Sequence, residues 1–500
     1  MKIVSPELMS QIDSRSTSEF GIPGAILMEN AGIRCWEYIE DYINLNKIEN
    51  ITIVAGSGNN GGDTLVIARQ AWVSDYKKLK IILKKETGSE LFQLHKKICD
   101  NLGIPVLVYG KEKESIEAAL ANSGIIIDGI TGTGLQGSLR STEAELVKLV
   151  NSSSAVKIAI DIPSGLGENF KKNYPVLQAD ITLTIGLPKT ILYYPSLRDY
   201  SGKIVVVKIG FPPSLLENPG DAGDIFYQDK ALLPYISPLA YKGTRGHTAI
   251  FAGSNGTVGA AVLSASAAGR ARSGLVTLLI DSDIYQIAAS HLTSIMVKQI
   301  DTNRENPILE GYSSILAGPG WGPEDRSGFL EKLFDSNLPG VLDADGLNLL
   351  IKMESKFTNN PGYLRGRWVF TPHPGEYARI TGIDKEIFLS SPISYLRKTS
   401  AKYGAVIILK SHVTFIVNPN GDYTVVDGMN PSLGTGGSGD ILSGIIAGLL
   451  AQGMETYEAA VLGVNIHQNI GRRCFEEKGW FLAEDLLPYI SMEIKNTETI

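Results

Sequence analysis

The chain has 500 residues, of which 43% are hydrophobic and 20% charged, as expected for a globular protein of two or three domains. Its formal net charge of −7 leaves no basic excess to neutralise phosphates and argues against nucleic acid as a partner. The sequence has neither an apolar run of about 20 residues that would span a membrane nor a signal-peptide core. Its three cysteines follow no metal-binding spacing, so we expect buried thiols in a cytoplasmic protein.

The first half begins with a helical pattern over residues 7–45 and continues as alternating strands and helices. An apolar strand at 51–55 precedes the Gly-rich segment 56–63 and a helical pattern at 64–72, which together form the opening of a βαβ unit. Further strands are predicted at 80–83, 106–108, 125–127, 157–160, 181–184 and 204–209. The alternation predicts a doubly wound parallel sheet covered on both faces.

Three predicted strands end in polar clusters, whose residues are Asn59, Asn60, Asp63, Asp128, Asp161 and Ser164. In a doubly wound sheet these ends converge on one crevice. Amide, hydroxyl and carboxylate oxygens suit a hard cation, and the Gly-rich segment 132–138 offers N–H groups to a phosphate. Asp128 and Asp161 could instead only cap loops, but three such clusters in one sheet favour a functional site.

The Gly-rich segment after the first strand, G-S-G-N-N-G at 56–61, differs from the dinucleotide fingerprint. No acidic residue ends a second strand about 20 residues further on, where the fingerprint needs one to hold the ribose. We therefore do not expect a hydride-transfer enzyme.

Five motifs of the first half occur together and in order: L-M-E-N-A-G (27–32), N-N-G-G-D (59–63), D-G-I-T-G-T-G-L-Q-G (128–137), D-I-P-S-G (161–165) and A-D-I-T-L-T-I-G-L-P-K (179–189). With these motifs the half resembles the NAD(P)H-hydrate epimerase family. The resemblance implies a Rossmann-like domain that epimerises carbon 6 of hydrated NADH and NADPH, called NADHX and NADPHX, and binds K+.

The same resemblance implies that Asn60, Asp128 and Ser164 bind the potassium ion. Asp128 is also the expected catalytic residue, because a strand-end carboxylate beside Gly-rich loops can move a proton. The residues expected to hold the substrate are Asn59, Asn60, Gly61, Gly62, Asp63, Gly132, Thr133, Gly134, Leu135, Gln136, Gly137, Ser138 and Asp161. Thr64 and Thr131 depart from the family pattern and could alter the shape of the pocket, although neither removes a polar group that the chemistry needs.

A change of composition separates the two halves. The last strand of the first half ends in G-F-P-P, and residues 214–224 are rich in Pro, Gly and acidic residues, which predicts a linker. We place the boundary near residue 220, which gives a first domain over 1–219 and a second over 220–500.

The second half again opens as a βαβ unit, with a strand at 249–252, but it does not repeat the first. Strands are predicted to begin at 314, 341 and 369 and to lie at 405–411 and 414–418. Then follows T-G-G-S-G-D at 435–440, which precedes an apolar helix. A Gly-rich loop that opens a helix presents free N–H groups to phosphate or developing negative charge, and Asp440 in the first turn could act as a base. The pattern alone is equally consistent with a Gly-rich turn that caps a buried helix.

Other polar residues of the second half follow strands. His373 lies between two prolines that fix its backbone, which favours function over the structural role usual for a lone histidine. Asp343 and Asp345 could bind Mg2+ or could cap the helix that follows, and the sequence favours neither. Lys410 at a strand end could meet a nucleotide phosphate or could be a solvated surface lysine.

The motifs K-G-x-x-G, A-G-S, G-P-G-x-G, D-A-D-x-L-N, T-P-H-P-G-E and G-G-S-G-D follow one another in this half. With them it resembles the ADP- or ATP-dependent NAD(P)H-hydrate dehydratases, a branch of the ribokinase-like fold. The resemblance implies ADP or ATP as co-substrate, Mg2+ as cofactor and Asp440 as the base that activates the substrate hydroxyl. Substrate contacts are implied for Ala260, Gly320, Gly322, His373 and Asp440. Nucleotide contacts are implied for Lys410, Ser411, His412, Val413, Thr414, Asn430, Pro431, Ser432, Leu433, Gly434, Thr435, Gly436, Gly437, Ser438 and Gly439.

The sequence therefore predicts a bifunctional enzyme that repairs hydrated NADH and NADPH, and we expect a homo-oligomer. One alternative is a small-molecule kinase of the ribokinase-like class, against which T-P-H-P-G-E argues. Another is that the first half only binds or dimerises, but a half without activity would be expected to lack the strand-end Asp128.

Overall fold

Two separate sheets of mainly parallel strands organise the chain in the computed structural model. The chain divides into two units, Met1–Gly223 and Asp224–Ile500, each built around one of these sheets. The structure describes residues 1–226, 233, 235–302 and 306–497, and the other positions of the predicted second domain lie outside the described residues. The predicted α/β class with two domains is confirmed: a doubly wound parallel sheet is followed by a second α/β unit with a larger, mainly parallel sheet.

The first unit contains a seven-stranded sheet with helices between its strands. The seven strands of the sheet are β2 Ile51–Ala55, β3 Leu79–Leu83, β4 Val106–Val108, β5 Ile125–Gly129, β6 Val156–Ile160, β7 Ile181–Ile185 and β8 Lys203–Val207, and the short strand β1 Lys2–Ile3 lies outside it. The helices are α1 Pro6–Ser18, α2 Gly24–Asn46, α3 Asn59–Val73, α4 Glu90–Asn101, α5 Lys113–Ala121, α6 Ser141–Ser152 and α7 Pro213–Glu217, and 3₁₀ helices span Thr190–Tyr193 and Arg198–Tyr200. The sheet order is β4-β3-β2-β5-β6-β7-β8 with every pair parallel. The strand order reverses between β2 and β5, which places a crevice at their carboxyl ends.

Close approach of two loops shapes this crevice. A Cβ at Gly56 would lie 1.9 Å from the carbonyl oxygen of Ile130, so only glycine lets the β2 loop contact the β5 loop. A Cβ at Gly61 would likewise lie 2.1 Å from the carbonyl oxygen of Gly56. Gly56 thus brings the ends of β2 and β5 together, and Gly61 lets the start of α3 pack against Gly56.

Some predicted elements of the first unit are wrong in detail. The single helix expected over 7–45 is two helices, α1 and α2, because Gly21 is left-handed with φ +67° and Pro23 has no N–H to continue a helix. The N-N-G-G-D segment is the first turn of α3 and not a loop. The predicted linker over 214–224 is partly helical, because Pro213–Glu217 forms α7 and buries Leu215.

The second unit contains a larger mixed sheet. Its strands are β9 Gly223–Phe226, β10 His247–Phe251, β11 Leu275–Ile280, β12 Met296–Gln299, β13 Ser314–Ala317, β14 Gly340–Leu342, β15 Trp368–Phe370, β16 Ala405–Leu409, β17 Val413–Val417 and β18 Tyr423–Asp427. Its helices are α8 Val258–Arg270, α9 Ser282–His291, α10 Ser327–Asp335, α11 Asp345–Asn348, α12 Glu354–Asn359, α13 Pro374–Thr381, α14 Lys385–Leu389, α15 Pro392–Tyr403, α16 Ser438–Ala451, α17 Thr456–Lys478 and α18 Ala483–Thr497, with 3₁₀ helices at Leu349–Ile351 and Pro431–Leu433. The strands lie in the order β9-β18-β17-β16-β15-β14-β13-β10-β11-β12, and only β17 is antiparallel to its two neighbours.

Small residues fix the position of the helix that the T-G-G-S-G-D segment opens. A Cβ at Gly444 would lie 2.3 Å from the carbonyl oxygen of Ser264, and one at Gly448 would lie 2.6 Å from that of Ala268. Helix α16 therefore packs directly on the backbone of α8, and its apolar residues are buried in the core of the unit. Among the helices described, none is long and apolar enough to cross a membrane.

Candidate active sites

A cavity of about 810 Å³ lies within the first unit, at the carboxyl ends of its central strands. Most of the residues predicted to hold the substrate line it: Asn59, Asn60, Asp63, Gly132, Thr133, Gly134, Leu135, Gln136, Ser138 and Asp161. Gly61, Gly62 and Gly137 lie beside these residues in the chain but are not part of the described cavity wall. The sequence motifs thus converge on one cavity, as the sheet topology predicts.

Asp128, the predicted catalytic residue, lies behind this cavity and not in its described wall. Its carboxylate is fully buried and accepts hydrogen bonds from the hydroxyl of Ser164 at 2.7 Å, the N–H of Ser164 at 2.9 Å and the N–H of Ile130 at 3.1 Å. Burial raises the pKa of Asp128 to about 6, although these three donors act in the opposite direction. A carboxylate held in this way is better placed to support a cation than to exchange a proton with a substrate.

The three predicted potassium ligands do lie together. The side-chain nitrogen of Asn60 donates to the carbonyl oxygens of Thr131 at 2.7 Å and Ile160 at 3.1 Å, while Ser164 bonds Asp128. The side-chain oxygen of Asn60 is buried and has no partner among the described residues. An orphaned amide oxygen beside two carbonyl oxygens and a buried carboxylate is the donor set of a hard monovalent cation, so the residues present fit K+.

The structure shows where Thr131 and Thr64, the two departures from the family pattern, lie. Thr131 lines the cavity, and its hydroxyl accepts a hydrogen bond from the N–H of Gly165 at 3.2 Å. Thr64 is buried in α3, and its hydroxyl donates to the carbonyl oxygen of Gly61 at 2.8 Å. Thr131 therefore alters the cavity wall itself, whereas Thr64 stabilises the first turn of α3.

An ion pair that the sequence reading did not single out lies in the cavity wall, between Asp161 and Lys189. Lys189 is 0% exposed, and its ammonium also donates to the hydroxyl of Thr184 at 3.2 Å. Asp161 accepts from the N–H of Ile185 at 3.1 Å and has φ +69°, a conformation that is rare for a residue with a side chain. Lys189 ends the last motif of the first half, four residues after the end of β7, and its place in that motif was the available signal.

Two more carboxyl groups face the same space. Burial raises the pKa of Asp63 well above its usual value, and the charges of Asp161 and Asp13 raise it further. Burial and Asp161 also raise the pKa of Asp13, which lies on α1 and lines the cavity. The cavity wall thus places the ion pair Asp161–Lys189 next to two carboxyls whose pKa is raised, which is an arrangement suited to acid–base chemistry.

In the second unit, the T-G-G-S-G-D segment leads into α16 as predicted. Gly437 is left-handed with φ +90°, and Ser438 donates its hydroxyl to the carbonyl oxygen of Leu433 at 2.7 Å. Asp440 lies in the first turn of α16. Burial raises the pKa of Asp440 to about 7, and the charge of Asp343 adds to this, whereas Lys410 opposes it. A carboxyl poised near neutrality at a helix N-terminus can act as a general base.

Lys410 and Asp343 form an ion pair beside this loop, with the ammonium 2.8 Å from a carboxylate oxygen of Asp343. Burial disfavours the charged ammonium, but Asp343, Glu376 and Asp440 together raise the pKa of Lys410. A Cβ at Gly439 would lie 3.3 Å from this ammonium, so the glycine lets the cation approach the loop. Lys410 is therefore not the solvated surface lysine that the sequence left open.

Asp343 and Asp345 do not cap the following helix through their side chains. The N-cap of α11 is Ala344, without a side-chain cap bond, and Ala344 has the strained φ of +51°. Asp343 pairs with Lys410, and Asp345 accepts from the N–H of Gly322 at 2.8 Å. Of the two alternatives, capping is excluded and a role in the site stays open.

Some of the residues predicted to contact the substrate in the second unit lie next to each other. Gly320 and Gly322 are both left-handed, and a Cβ at Gly320 would lie 3.0 Å from that of Ala260. The hydroxyl of Thr257 donates to the carbonyl oxygen of Gly320 at 2.7 Å and fixes this contact. The carboxyl ends of β10, β13 and β14 therefore lie side by side at one edge of the sheet, where parallel sheets bind their ligands.

His373 has a structural task that the sequence reading did not assign. It is the N-cap of α13, where its ring accepts from the N–H of Gly375 at 2.9 Å while Glu376 accepts from the N–H of His373 at 2.8 Å. Its side chain is 53% exposed, and its outer ring nitrogen Nε2 lies 3.6 Å from Oε1 of Glu376.

The predicted nucleotide segments lie next to each other. The carbonyl oxygen of His412 accepts from the N–H groups of Gly428 at 3.1 Å and Met429 at 3.0 Å, which joins residues 410–414 to 428–434. Val413 and Thr414 are buried in β17, so their side chains are shielded from solvent. The side-chain nitrogen of Asn430 is buried and has no partner among the described residues, which leaves a donor for a ligand.

The second unit also offers carboxylates that could hold Mg2+. Within the described ranges, no group of three or more His, Cys, Asp or Glu side chains is placed to hold a metal ion. Mg2+ commonly needs only one or two carboxylates when a nucleotide supplies the remaining oxygens, and Asp343 and Asp345 provide that chemistry.

Both halves of the chain match known protein families. Residues 24–191 match the family described as YjeF-related protein N-terminus, and residues 248–493 match the family described as NAD(P)H-hydrate dehydratase. A bifunctional NAD(P)H-hydrate repair enzyme of Moorella thermoacetica is 31% identical over 521 residues, which cover 100% of this chain and 97% of that relative. A protein of the same name from Coxiella burnetii is 31% identical over 88% of this chain and 89% of its own.

Solved structures resemble the second unit. An ADP/ATP-dependent NAD(P)H-hydrate dehydratase of Bacillus subtilis, co-crystallised with ATP and Mg2+, is 24% identical with a TM-score of 0.49, and the match covers 55% of this chain and 99% of that one. A ribokinase-like superfamily protein of Enterococcus faecalis is 25% identical with a TM-score of 0.49, over 55% of this chain and 96% of that one.

Proposed function

Because the chain belongs to the family of bifunctional NAD(P)H-hydrate repair enzymes, we propose that it returns NADHX and NADPHX to NADH and NADPH in two steps. The first unit interconverts the R and S epimers at carbon 6, and the second dehydrates the S epimer with ADP or ATP. The observation that carries the proposal is that both candidate sites occur in one chain that its relatives match from end to end. The buried, unpaired thiols Cys35, Cys99 and Cys474 are consistent with a reducing cytoplasm, where we expect the enzyme to act.

For epimerisation, we assign the base to Asp161, whose carboxylate forms an ion pair with Lys189 in the cavity wall. Asp161 takes the proton of the carbon-6 hydroxyl, and the bond from carbon 6 to N1 breaks as the carbonyl forms. The electron pair goes to N1, which takes a proton from Asp63, the carboxyl whose pKa burial raises. The ring closes again when N1 attacks the other face of the carbonyl carbon. The two proton transfers are then reversed, and the opposite epimer forms.

Asp128 then belongs to the cation site, together with Asn60 and Ser164. K+ supplies a fixed positive charge beside the substrate-binding loops when it is bound. The orphaned oxygen of Asn60 and the buried carboxylate of Asp128 are the groups that would hold it. Residues 132–138 and Asn59 would hold the rest of the dinucleotide through N–H groups and the side-chain amide.

For dehydration, Asp440 takes the proton of the same hydroxyl, whose oxygen attacks the terminal phosphorus and displaces AMP from ADP or ADP from ATP. Lys410 and the N–H groups at 436–439 stabilise the charge on the phosphoryl oxygens. The carbon–oxygen bond then breaks with help from the N1 lone pair, phosphate leaves, and loss of a proton from carbon 5 restores the double bond. Mg2+, held by Asp343 or Asp345 when bound, neutralises nucleotide charge.

The test uses the full chain and separated epimers of chemically hydrated NADH. With ADP or ATP, the S epimer is expected to regain reduced-nicotinamide absorbance with one phosphate released per turnover. Without nucleotide, R should convert to S, and replacing K+ by choline should slow only this step. A small-molecule kinase would leave a phosphorylated product without the absorbance, and that result would refute the dehydratase assignment.

A further inference from the structure

A second ion pair lies in the wall of the first-unit cavity, away from Asp161. Lys84 directly follows β3, and its ammonium contacts Glu143 in the first turn of α6. Both residues line the cavity, and their side chains are only 16% and 8% exposed. The mechanism proposed above gives neither residue a role.

Glu143 has one carboxylate oxygen that the protein leaves unsatisfied. Lys84 contacts one oxygen, and the other is buried with no hydrogen-bond partner among the described residues. A buried carboxylate oxygen without a donor is costly, and Glu143 belongs to the wall of a cavity that a ligand would fill. The missing donor is therefore expected on the ligand, which must present a hydroxyl or N–H group there.

The sheet order indicates which part of a dinucleotide reaches this point. Lys84 follows β3 and Asp161 follows β6, and β3 and β6 are three steps apart in the order β3-β2-β5-β6. At ~4.8 Å per step the two ends of the cavity are roughly 14 Å apart. The Gly-rich segment 132–138 lines the space between them and leads into α6. If the reactive ring lies at Asp161, the adenosine half of the substrate lies near Glu143.

We propose that Glu143 accepts a hydrogen bond from the 2′-hydroxyl of the adenosine ribose and makes the first unit prefer NADHX to NADPHX. The inference rests on the proposed epimerase function. NADPHX carries a phosphate in place of this hydroxyl, so it offers no donor and sets a second negative group against the carboxylate. Lys84 is a positioning residue, because its ammonium holds the carboxylate and offsets part of this repulsion.

The experiment compares kcat and KM of epimerisation for NADHX and NADPHX. Glu143→Gln keeps the length of the side chain but weakens the acceptor, and Lys84→Met/Glu143→Gln removes both buried charges together in case the single variant folds poorly. Glu145→Gln is the matched control on the same helix, because Glu145 is exposed and bonds only the hydroxyl of Tyr109 in the described structure. Thermal unfolding of each variant records its stability.

The wild-type ratio of kcat/KM for NADHX over NADPHX is expected to be about ten or more. In both Glu143 variants, KM for NADHX should rise about ten-fold with kcat within about two-fold, and the ratio should fall toward one. Glu145→Gln should change neither value. An active wild type without preference, or Glu143 variants with an unchanged ratio, would overturn the inference alone. A wild type that epimerises neither substrate would overturn the proposed function itself.

Discussion

The two candidate sites hold their charges differently. In the first unit, Lys189 is fully buried and forms an ion pair with Asp161 in the wall of the cavity. In the second unit, Lys410 retains 21% of its side-chain exposure beside the N-terminus of α16. The cation of the first site is thus withdrawn from solvent, whereas that of the second site stays partly accessible.

This difference teaches which charged residues a motif can identify. At the second site, the residue expected to act as the base lies in the Gly-rich segment itself, and its pKa of about 7 agrees with that role. At the first site, the carboxylate that seemed best placed in the sequence, Asp128, lies behind the cavity, and Asp161 takes its place in the wall. A base that lies inside its own motif can be identified from sequence more directly than one that must be chosen among the carboxylates of several strand ends.

The largest expected effect is that of Asp440→Asn on dehydration. Turnover should fall by roughly 10²–10⁴-fold, because the amide cannot take the hydroxyl proton. Nucleotide affinity should change little, since the loop N–H groups remain. Calorimetric titration with ADP and single-turnover rates of the S epimer check the two parts. Near-normal turnover would refute the base, and lost nucleotide binding would mean that Asp440 holds the loop together.

Asp161→Asn should slow epimerisation by at least roughly 10²-fold at every K+ concentration. Asp128→Asn, the matched isosteric change behind the cavity, should instead raise the K+ concentration needed for half-maximal activity. The measurement is the rate of R-to-S conversion over a K+ titration. If Asp128→Asn lost all activity at saturating K+ while Asp161→Asn kept it, the assignment of the two carboxylates would be reversed.

Lys410→Met should weaken nucleotide binding by about ten-fold or more, since a charge-assisted contact to phosphate is lost. It also leaves Asp343, whose side chain is 2% exposed, without its cation, so the unfolding temperature should fall. Lys410→Met/Asp343→Asn should recover stability but not affinity. Unchanged affinity in both variants would place the phosphate elsewhere.

The smallest effect concerns pH. Dehydration should accelerate as pH rises through about 7, because Asp440 must be ionised to act. The same raised pKa means that this group favours the folded state below its unfolded value and destabilises it as pH rises through about 7. Asp440→Asn should therefore raise the unfolding temperature more at about pH 8 than at about pH 5. An equal shift at both values would contradict the raised pKa.

The sequence was sufficient for the fold class and for most of the first cavity. Alternating apolar strands and helices determine a parallel sheet, and its topology brings the strand-end motifs to one edge. The sequence was not sufficient to decide which carboxylate lies in the cavity wall. Asp128 is covered by hydrogen bonds from Ser164 and Ile130, and these bonds depend on how distant loops fold. Asp13 and Glu143 also escaped notice, since each belongs to a helix whose exposed face the sequence does not distinguish from its cavity face.

Local backbone chemistry accounts for the other differences. The helical pattern over 7–45 continues across Gly21 and Pro23, but the left-handed glycine and the proline together end α1 and begin α2. His373 was singled out for its two prolines, yet the same rigidity makes it a helix cap. A residue fixed in this way can serve structure and ligand together, which the sequence cannot separate.

The central claim is that the two units carry separate steps of one repair reaction, and mixing two variants tests it directly. Supplied with the R epimer of hydrated NADH and ADP or ATP, Asp161→Asn retains dehydration and Asp440→Asn retains epimerisation. Each variant alone should restore little reduced-nicotinamide absorbance at early times, and an equimolar mixture should approach the wild-type rate. If Asp440→Asn alone restored the absorbance, or the mixture did no better than either variant, the division of labour would be contradicted.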